Sequence, residues 1–138
     1  MSLRTILDAW LSGKVAPPPV IALIGIRLTG YDEGTGSCEL EIGNQHLNPM
    51  GNVHGGIVAD LADAAMGIAA ATVANEGESF STLELSLNFF VPVKDGVLKA
   101  NANVVRRGRR TAYVECEIRD EEGLLVAKAG STALFHDI

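Results

Sequence analysis

One segment constrains this chain more than any other. The longest helical pattern opens at His54-Gly55-Gly56 and runs to about Asn75, and eight of the sixteen residues at positions 59–74 are alanine. Alanine favours helix. Its methyl side chain also lets a neighbouring surface come close to the helix axis. A helix this slim needs something wrapped around it, and the flanking sequence says what.

After the helix, Leu83, Leu85, Leu87 and Phe89 alternate with Thr82, Glu84, Ser86 and Asn88. Leu98, Ala100, Ala102 and Val104 alternate with Lys99, Asn101, Asn103 and Val105. Val114, Cys116 and Ile118 alternate with Tyr113, Glu115, Glu117 and Arg119. Before the helix, Cys38, Leu40 and Ile42 alternate with Ser37, Glu39 and Glu41. A period of two puts each apolar set on one face of a strand. Residues 21–29 and 124–135 read as a first and a last strand, and hairpin-like connections fall at 94–96, 108–110 and 120–123. The order is strand, strand, long helix, four strands: an α+β layout with one helix against one antiparallel sheet.

Leu3, Ile6, Leu7, Trp10 and Leu11 follow helical spacing and predict a short amphipathic N-terminal helix. Gly13 and then Pro17, Pro18 and Pro19 end it in an extended connector. Residues 1–20 are therefore an N-terminal helix and Pro-rich connector on a single domain spanning 1–138.

Composition narrows the function. Lys and Arg number 11 against 17 for Asp and Glu, a net charge of -6, which demotes a dedicated nucleic-acid binder. Cys38 and Cys116 lie inside alternating runs and read as small buried hydrophobes. No cysteine–histidine spacing reads as a zinc site. The first twenty residues hold no signal-peptide stretch, and Asp60 and Asp63 interrupt the longest apolar run, so the expected location is cytoplasmic.

The chemistry-bearing residues cluster at the helix start, in Asn48-Pro49-Met50-Gly51-Asn52-Val53-His54-Gly55-Gly56, with Asp60 and Asp63 following. Two glycines there let a ligand approach the backbone. The free N–H groups and the positive end of the helix dipole favour an oxygen bearing negative charge, the equipment of an oxyanion hole. Taken alone, the glycine pair reads more readily as a tight turn. Asp63 is isolated among Ala62, Ala64, Ala65 and Met66, where an aspartate is costly unless paired or functional. Asp60 reads as an early-helix charge facing solvent. His54 is either a general base or a ring that orders the loop. His46 and His136 acquire no role. Arg106, Arg107, Arg109 and Arg110 surround Gly108, so four of the eleven basic residues lie within five positions. Unaided, they read as a solvated hairpin end; the alternative is a phosphate site.

Asp63 follows Gly56 by seven residues, roughly 10 Å along a helix. A nucleophile and an oxyanion donor must both lie within about 3–3.5 Å of the reacting group. One helix can hardly supply both. If both act, Asp63 of one subunit faces Gly55 of another.

The combined string Asn-Pro-Met-Gly-Asn-Val-His-Gly-Gly-Ile-Val-Ala-Asp-Leu-Ala-Asp, residues 48–63, resembles the hotdog-fold acyl-CoA thioesterases, in particular the phenylacetic-acid-degradation (PaaI-type) group. The likeness runs from about Ile21 to Phe135. It implies a hotdog fold, a long central helix wrapped by a curved antiparallel sheet of about five to six strands, assembled as a dimer and often a dimer of dimers with sites between subunits. It implies that Asp63 is the catalytic carboxylate, as nucleophile or general base, and that Gly55 polarises the thioester carbonyl, with Gly56 beside it against the substrate. It implies that His54 and Asn48 order the loop and position substrate or water, and that Thr82 assists the water. The arginines around Gly108 would meet coenzyme A phosphates. No metal or prosthetic group is implied; coenzyme A belongs to the substrate. Apolar residues such as Leu47, Met50, Ala59, Phe80 and Phe90 suit a medium-chain or aromatic acyl group. The expected activity is hydrolysis of an acyl-CoA to free acid and coenzyme A. The rivals are a hotdog-fold hydratase or dehydratase and a non-catalytic acyl-CoA-binding module.

Overall fold

The computed structural model describes residues 2–138. Helix α1 spans Leu3–Leu11 and α2 spans Pro19–Ile24. Strands β1 (Arg27–Asp32) and β2 (Thr35–Glu41) precede a single 3-10 turn at Asn44–His46 and the long helix α3 (Gly55–Thr72). Then come β3 (Glu78–Phe89), β4 (Val97–Arg107), β5 (Thr111–Arg119) and β6 (Leu125–Asp137). All six strands form one antiparallel sheet in the order β1-β2-β4-β5-β6-β3. The chain thus adopts the hotdog arrangement, with α3 packed against the sheet.

The alternation in sequence becomes the two faces of that sheet. Leu40, Leu98, Val114 and Ile118 are fully buried with Leu61 and Met66 of α3. Each such side chain stabilises the fold by about 1.5–3 kcal/mol over its exposed state. Cys38 and Cys116 belong to this core, and burial pushes both thiols up to about 12, which leaves them unreactive as nucleophiles.

The alanines have a geometric purpose. Gly36 of β2 lies against α3 so closely that a Cβ there would fall 2.7 Å from the Ala65 carbonyl oxygen and 2.9 Å from the Ala69 nitrogen. Backbone meets backbone at this crossing, and only small residues on both sides permit it. Thr72 fixes the helix end to the same sheet region. Its hydroxyl donates to the Ala69 carbonyl at 2.7 Å and accepts the Gly34 N–H at 2.8 Å. By length and composition α3 would pass as a membrane span, but more than half of it is buried, and its apolar face is used inside the protein.

One expected element differs. The pattern of residues 21–29 predicts a strand, whereas the chain forms α2 through Ile24 and enters β1 only at Arg27. Pro19 occupies the first helical position, where its fixed φ suits a helix start, and the Pro18 carbonyl accepts the Ala22 N–H at 3.0 Å. Gly25 then stops the helix at φ 92°, the left-handed cap a glycine adopts without strain. The run Val20 to Ile24 is too short for its periodicity to tell helix from strand.

Candidate active site

The start of α3 is held by hydrogen bonds from three directions. His46 is 2% exposed; its Nδ1 accepts the Gly43 N–H at 2.9 Å and its Nε2–H donates to the Ile24 carbonyl at 2.7 Å. The His46 carbonyl in turn accepts the His54 N–H at 2.8 Å. Asn48 Oδ1 accepts the N–H groups of Met50 and Asn52 at 3.0 and 3.1 Å. Gly51 closes this turn with φ 80° and an N–H bond to the Asn48 carbonyl at 3.0 Å. The loop is therefore a rigid support for the helix start.

His54 caps the helix. Its Nδ1 accepts the Gly56 N–H at 2.9 Å, so of the two roles open to it in sequence, ordering is the one its geometry serves. That bond occupies the Gly56 N–H. The Gly55 N–H, by contrast, has no partner among the described residues. It lies at the positive end of the helix dipole, where an oxyanion is stabilised. Gly55 lines a cavity of about 400 Å³ with Asn48, Asn52, Phe89 and Phe90. A Cβ at Gly55 would stand 3.1 Å from the tip of the Phe89 ring, a tight contact that the exposed ring would have to yield to. Asn52 Oδ1 is a buried side-chain oxygen without a partner among the described residues, and it lines the same cavity.

Asp63 faces elsewhere. It lines a second cavity of about 280 Å³ together with Thr82, Phe80, Gly67 and residues of α1. The Thr82 hydroxyl donates to Asp63 Oδ1 at 3.5 Å, a long contact. Asp63 is exposed on the lone chain, yet the apolar walls beside it remove enough water to matter. That desolvation raises its proton affinity above the ordinary value of 3.8; the Thr82 bond opposes the shift and the Asp60 charge adds to it. A carboxylate that holds its proton more tightly is a stronger base.

The structure separates the four arginines. Arg107 is half-buried; its guanidinium pairs with Glu78 at 2.8 Å and lies 3.7 Å over the Phe135 ring. It also donates to the carbonyls of Val73, Gly108 and Arg109. This clamp joins the end of α3, the start of β3 and the β4–β5 turn. Its donors are committed to protein, which leaves Arg106, Arg109 and Arg110 exposed and available to a ligand. Among the described residues, no three His, Cys, Asp or Glu side chains cluster as metal ligands.

Of the residues singled out in sequence, Asn48, His54, Gly55 and Gly56 come together, and Asp63 meets Thr82. The two groups open onto separate cavities of the same chain. Sequence reasoning missed His46, whose two bonds depend on Gly43 and Ile24 being brought to it. It missed Phe89 and Asn52 in the Gly55 cavity. Leu3, Ile6, Leu7 and Trp10 were expected to form an amphipathic N-terminal helix, and the structure lays that face on the Asp63 cavity.

The sequence model of the thioesterase superfamily matches residues 50–127, more than half of the chain. The chain belongs to the thioesterase superfamily. A candidate esterase of Caenorhabditis elegans is 38% identical over 104 residues, 71% of this chain and 59% of the relative, so this chain spans well under two thirds of that protein. The 1,4-dihydroxy-2-naphthoyl-CoA hydrolase of Listeria monocytogenes is 31% identical over 98 residues, 71% of this chain and 80% of that enzyme. The structure of a phenylacetic acid degradation-related protein from Ralstonia eutropha superimposes with a TM-score of 0.84 at 30% identity, covering 92% of this chain and 97% of the other. The matched thioesterase segment holds Gly55, Asp63, Thr82 and the arginines. His46, Asn48, α1 and α2 lie outside it.

Proposed function

We propose that the protein hydrolyses the thioester of a medium-chain or aromatic acyl-CoA, with its active site between two copies of the chain. One observation carries this reading. The free Gly55 N–H and the carboxylate of Asp63 are both poised for acyl chemistry, yet they open onto different cavities of one chain. Two copies related by a two-fold axis would bring one chain's Gly55 to its partner's carboxylate. Strand β3 is an edge of the sheet and carries exposed Leu83 and Phe89. Its unpaired edge is suited to pairing with a second β3. The Listeria relative, a CoA-thioester hydrolase by name, supports the substrate class.

In the proposed reaction, the Gly55 N–H polarises the thioester carbonyl. Asp63 takes a proton from water as the water oxygen attacks the carbonyl carbon. The tetrahedral oxyanion rests on the helix start, the carbon–sulfur bond breaks, and the coenzyme A thiolate leaves with the proton that Asp63 took from water. The raised proton affinity of Asp63 suits this base role, and direct attack by the same carboxylate on the thioester is the second route it could take. Thr82 holds the carboxylate, and Asn48 and His54 keep the Gly55 N–H in place. Arg106, Arg109 and Arg110 offer charge to the coenzyme A phosphates.

The test is thiol release from a panel of acyl-CoAs, with Asp63→Ala run beside wild type. Turnover by wild type alone supports the reading, and no release from any acyl-CoA overturns it. A single turnover in ¹⁸O-water tests for direct attack, because label in the Asp63 carboxylate requires an anhydride opened by water at the Asp63 carbon. Hydration of an enoyl-CoA without thiol release would instead favour a hydratase.

A further inference from the structure

Helix α1 lies outside the segment that defines the family, and it is strongly amphipathic. Its apolar stripe of Leu3, Ile6, Leu7 and Trp10 forms one wall of the Asp63 cavity. The opposite wall is α3 itself, at Ala64, Gly67, Ile68 and Ala71. From Asp63 to Ala71 is eight residues, roughly 12 Å along the helix. Phe80 and Ile21 close the sides, and Asp63 and Thr82 are the cavity's polar members. A reacting group placed at Asp63 therefore has an apolar slot running away from it between two helices.

The slot has a definite capacity. A methylene takes up about the ~30 Å³ that a water molecule occupies in the liquid, so a cavity of about 280 Å³ holds roughly nine carbons. A dry cavity of about 150 Å³ already accepts benzene. The part of the slot walled by one chain therefore matches an aryl group on a short linker or a chain of about eight carbons, and falls short of a sixteen-carbon chain.

Helix α1 is attached as a separate wall. Leu7 anchors it in the core, and the Tyr31 hydroxyl donates a hydrogen bond to the Asp8 carboxylate. Ile6 remains 46% exposed. Gly13 (φ 75°) and the proline run then lead the chain away to α2.

Resting on the thioesterase reading, we propose that α1 is the acyl gauge of this enzyme: Ile6 and Trp10 touch the acyl group and limit its length. Trp10 is the one tryptophan in the chain, so its emission reports on this wall alone. The first experiment titrates wild type with S-octyl-coenzyme A, a thioether that cannot be hydrolysed, beside free coenzyme A. The octyl compound is expected to shift Trp10 emission, and coenzyme A alone is not. The second compares chain-length profiles of thiol release for wild type, Trp10→Ala and Ile6→Ala. Opening the wall by several methylenes should raise kcat/KM for C14–C16 relative to C8 by roughly tenfold or more, with a circular-dichroism melt confirming that each variant is folded.

The proposal is overturned if octyl binding, followed by calorimetry, leaves Trp10 emission unchanged. It is overturned equally if folded Trp10→Ala and Ile6→Ala keep the wild-type profile. If wild type releases no thiol from any acyl-CoA, the thioesterase reading falls, and the emission titration still decides whether acyl groups enter beneath α1.

Discussion

The two ends of the candidate site, both on α3, are built on opposite principles. The Gly55 end is made of backbone polarity held rigidly: His46, Asn48 and His54 each engage backbone groups around it at 2.7–3.1 Å. The Asp63 end is one carboxylate in an apolar slot, touched by a single hydroxyl at 3.5 Å. The difference follows from what each must do. A donor aimed at developing charge acts best when it does not reorganise during reaction. A base acts best when its proton affinity is tuned, and removal of water achieves that without fixed partners.

Removing the carboxylate should have the largest effect. Asp63→Asn should lower kcat by about 10²–10⁴-fold, the usual worth of a general base. Its stability should change in the opposite sense. The folded chain binds the Asp63 proton more tightly than the unfolded chain, so ionising this group weakens folding as pH rises from its ordinary value through its raised folded value. Asp63→Asn should therefore melt above wild type at neutral pH, and the gap should close as pH falls below 3.8. Melts at several pH values check this, and a gap that widens in acid contradicts it.

At the other end, Gly55→Ala places a methyl 3.1 Å from the Phe89 ring and should displace the N–H it carries. Loss of one such donor lowers kcat by about 10²-fold. Pairing it with Phe89→Leu should recover part of that loss. His54→Ala sharpens the contrast further, since removing the cap should cost about 1 kcal/mol in a denaturant melt together with a smaller fall in kcat.

The arginines give the smallest effects and divide the same way. Arg107→Ala should cost about 2 kcal/mol of stability, because its charge-assisted bonds hold three elements together. Arg106→Ala, Arg109→Ala and Arg110→Ala should leave the melt unchanged and raise KM for acyl-CoA a few-fold in a salt-sensitive way.

Much of this was legible without coordinates. Strict alternation in residues 37–42, 82–89 and 98–104 identified strands because a pleated chain has no other period. The Asn48 to Asp63 string picked out both ends of the candidate site. The roll of acyl-shaping residues fared less evenly: Phe80 reaches the Asp63 slot, but Phe90 lines the Gly55 cavity and Met50 is largely exposed. Spacing places such residues near the chemistry without saying which cavity they enter.

Features that depend on neighbours along the chain could be read before any fold was known: strand faces, the α3 helix and the isolation of Asp63. The remaining roles depend on groups distant in sequence. Arg107 could not be told from Arg106, Arg109 and Arg110 until Glu78, Val73 and Phe135 surrounded it. His46 was silent until Ile24 reached it, and the stripe on α1 was only a buried face until Asp63 and Phe80 stood opposite. Local order follows from backbone periodicity and propensity, whereas a guanidinium, an imidazole or an apolar wall takes its role from whatever the fold places within contact distance.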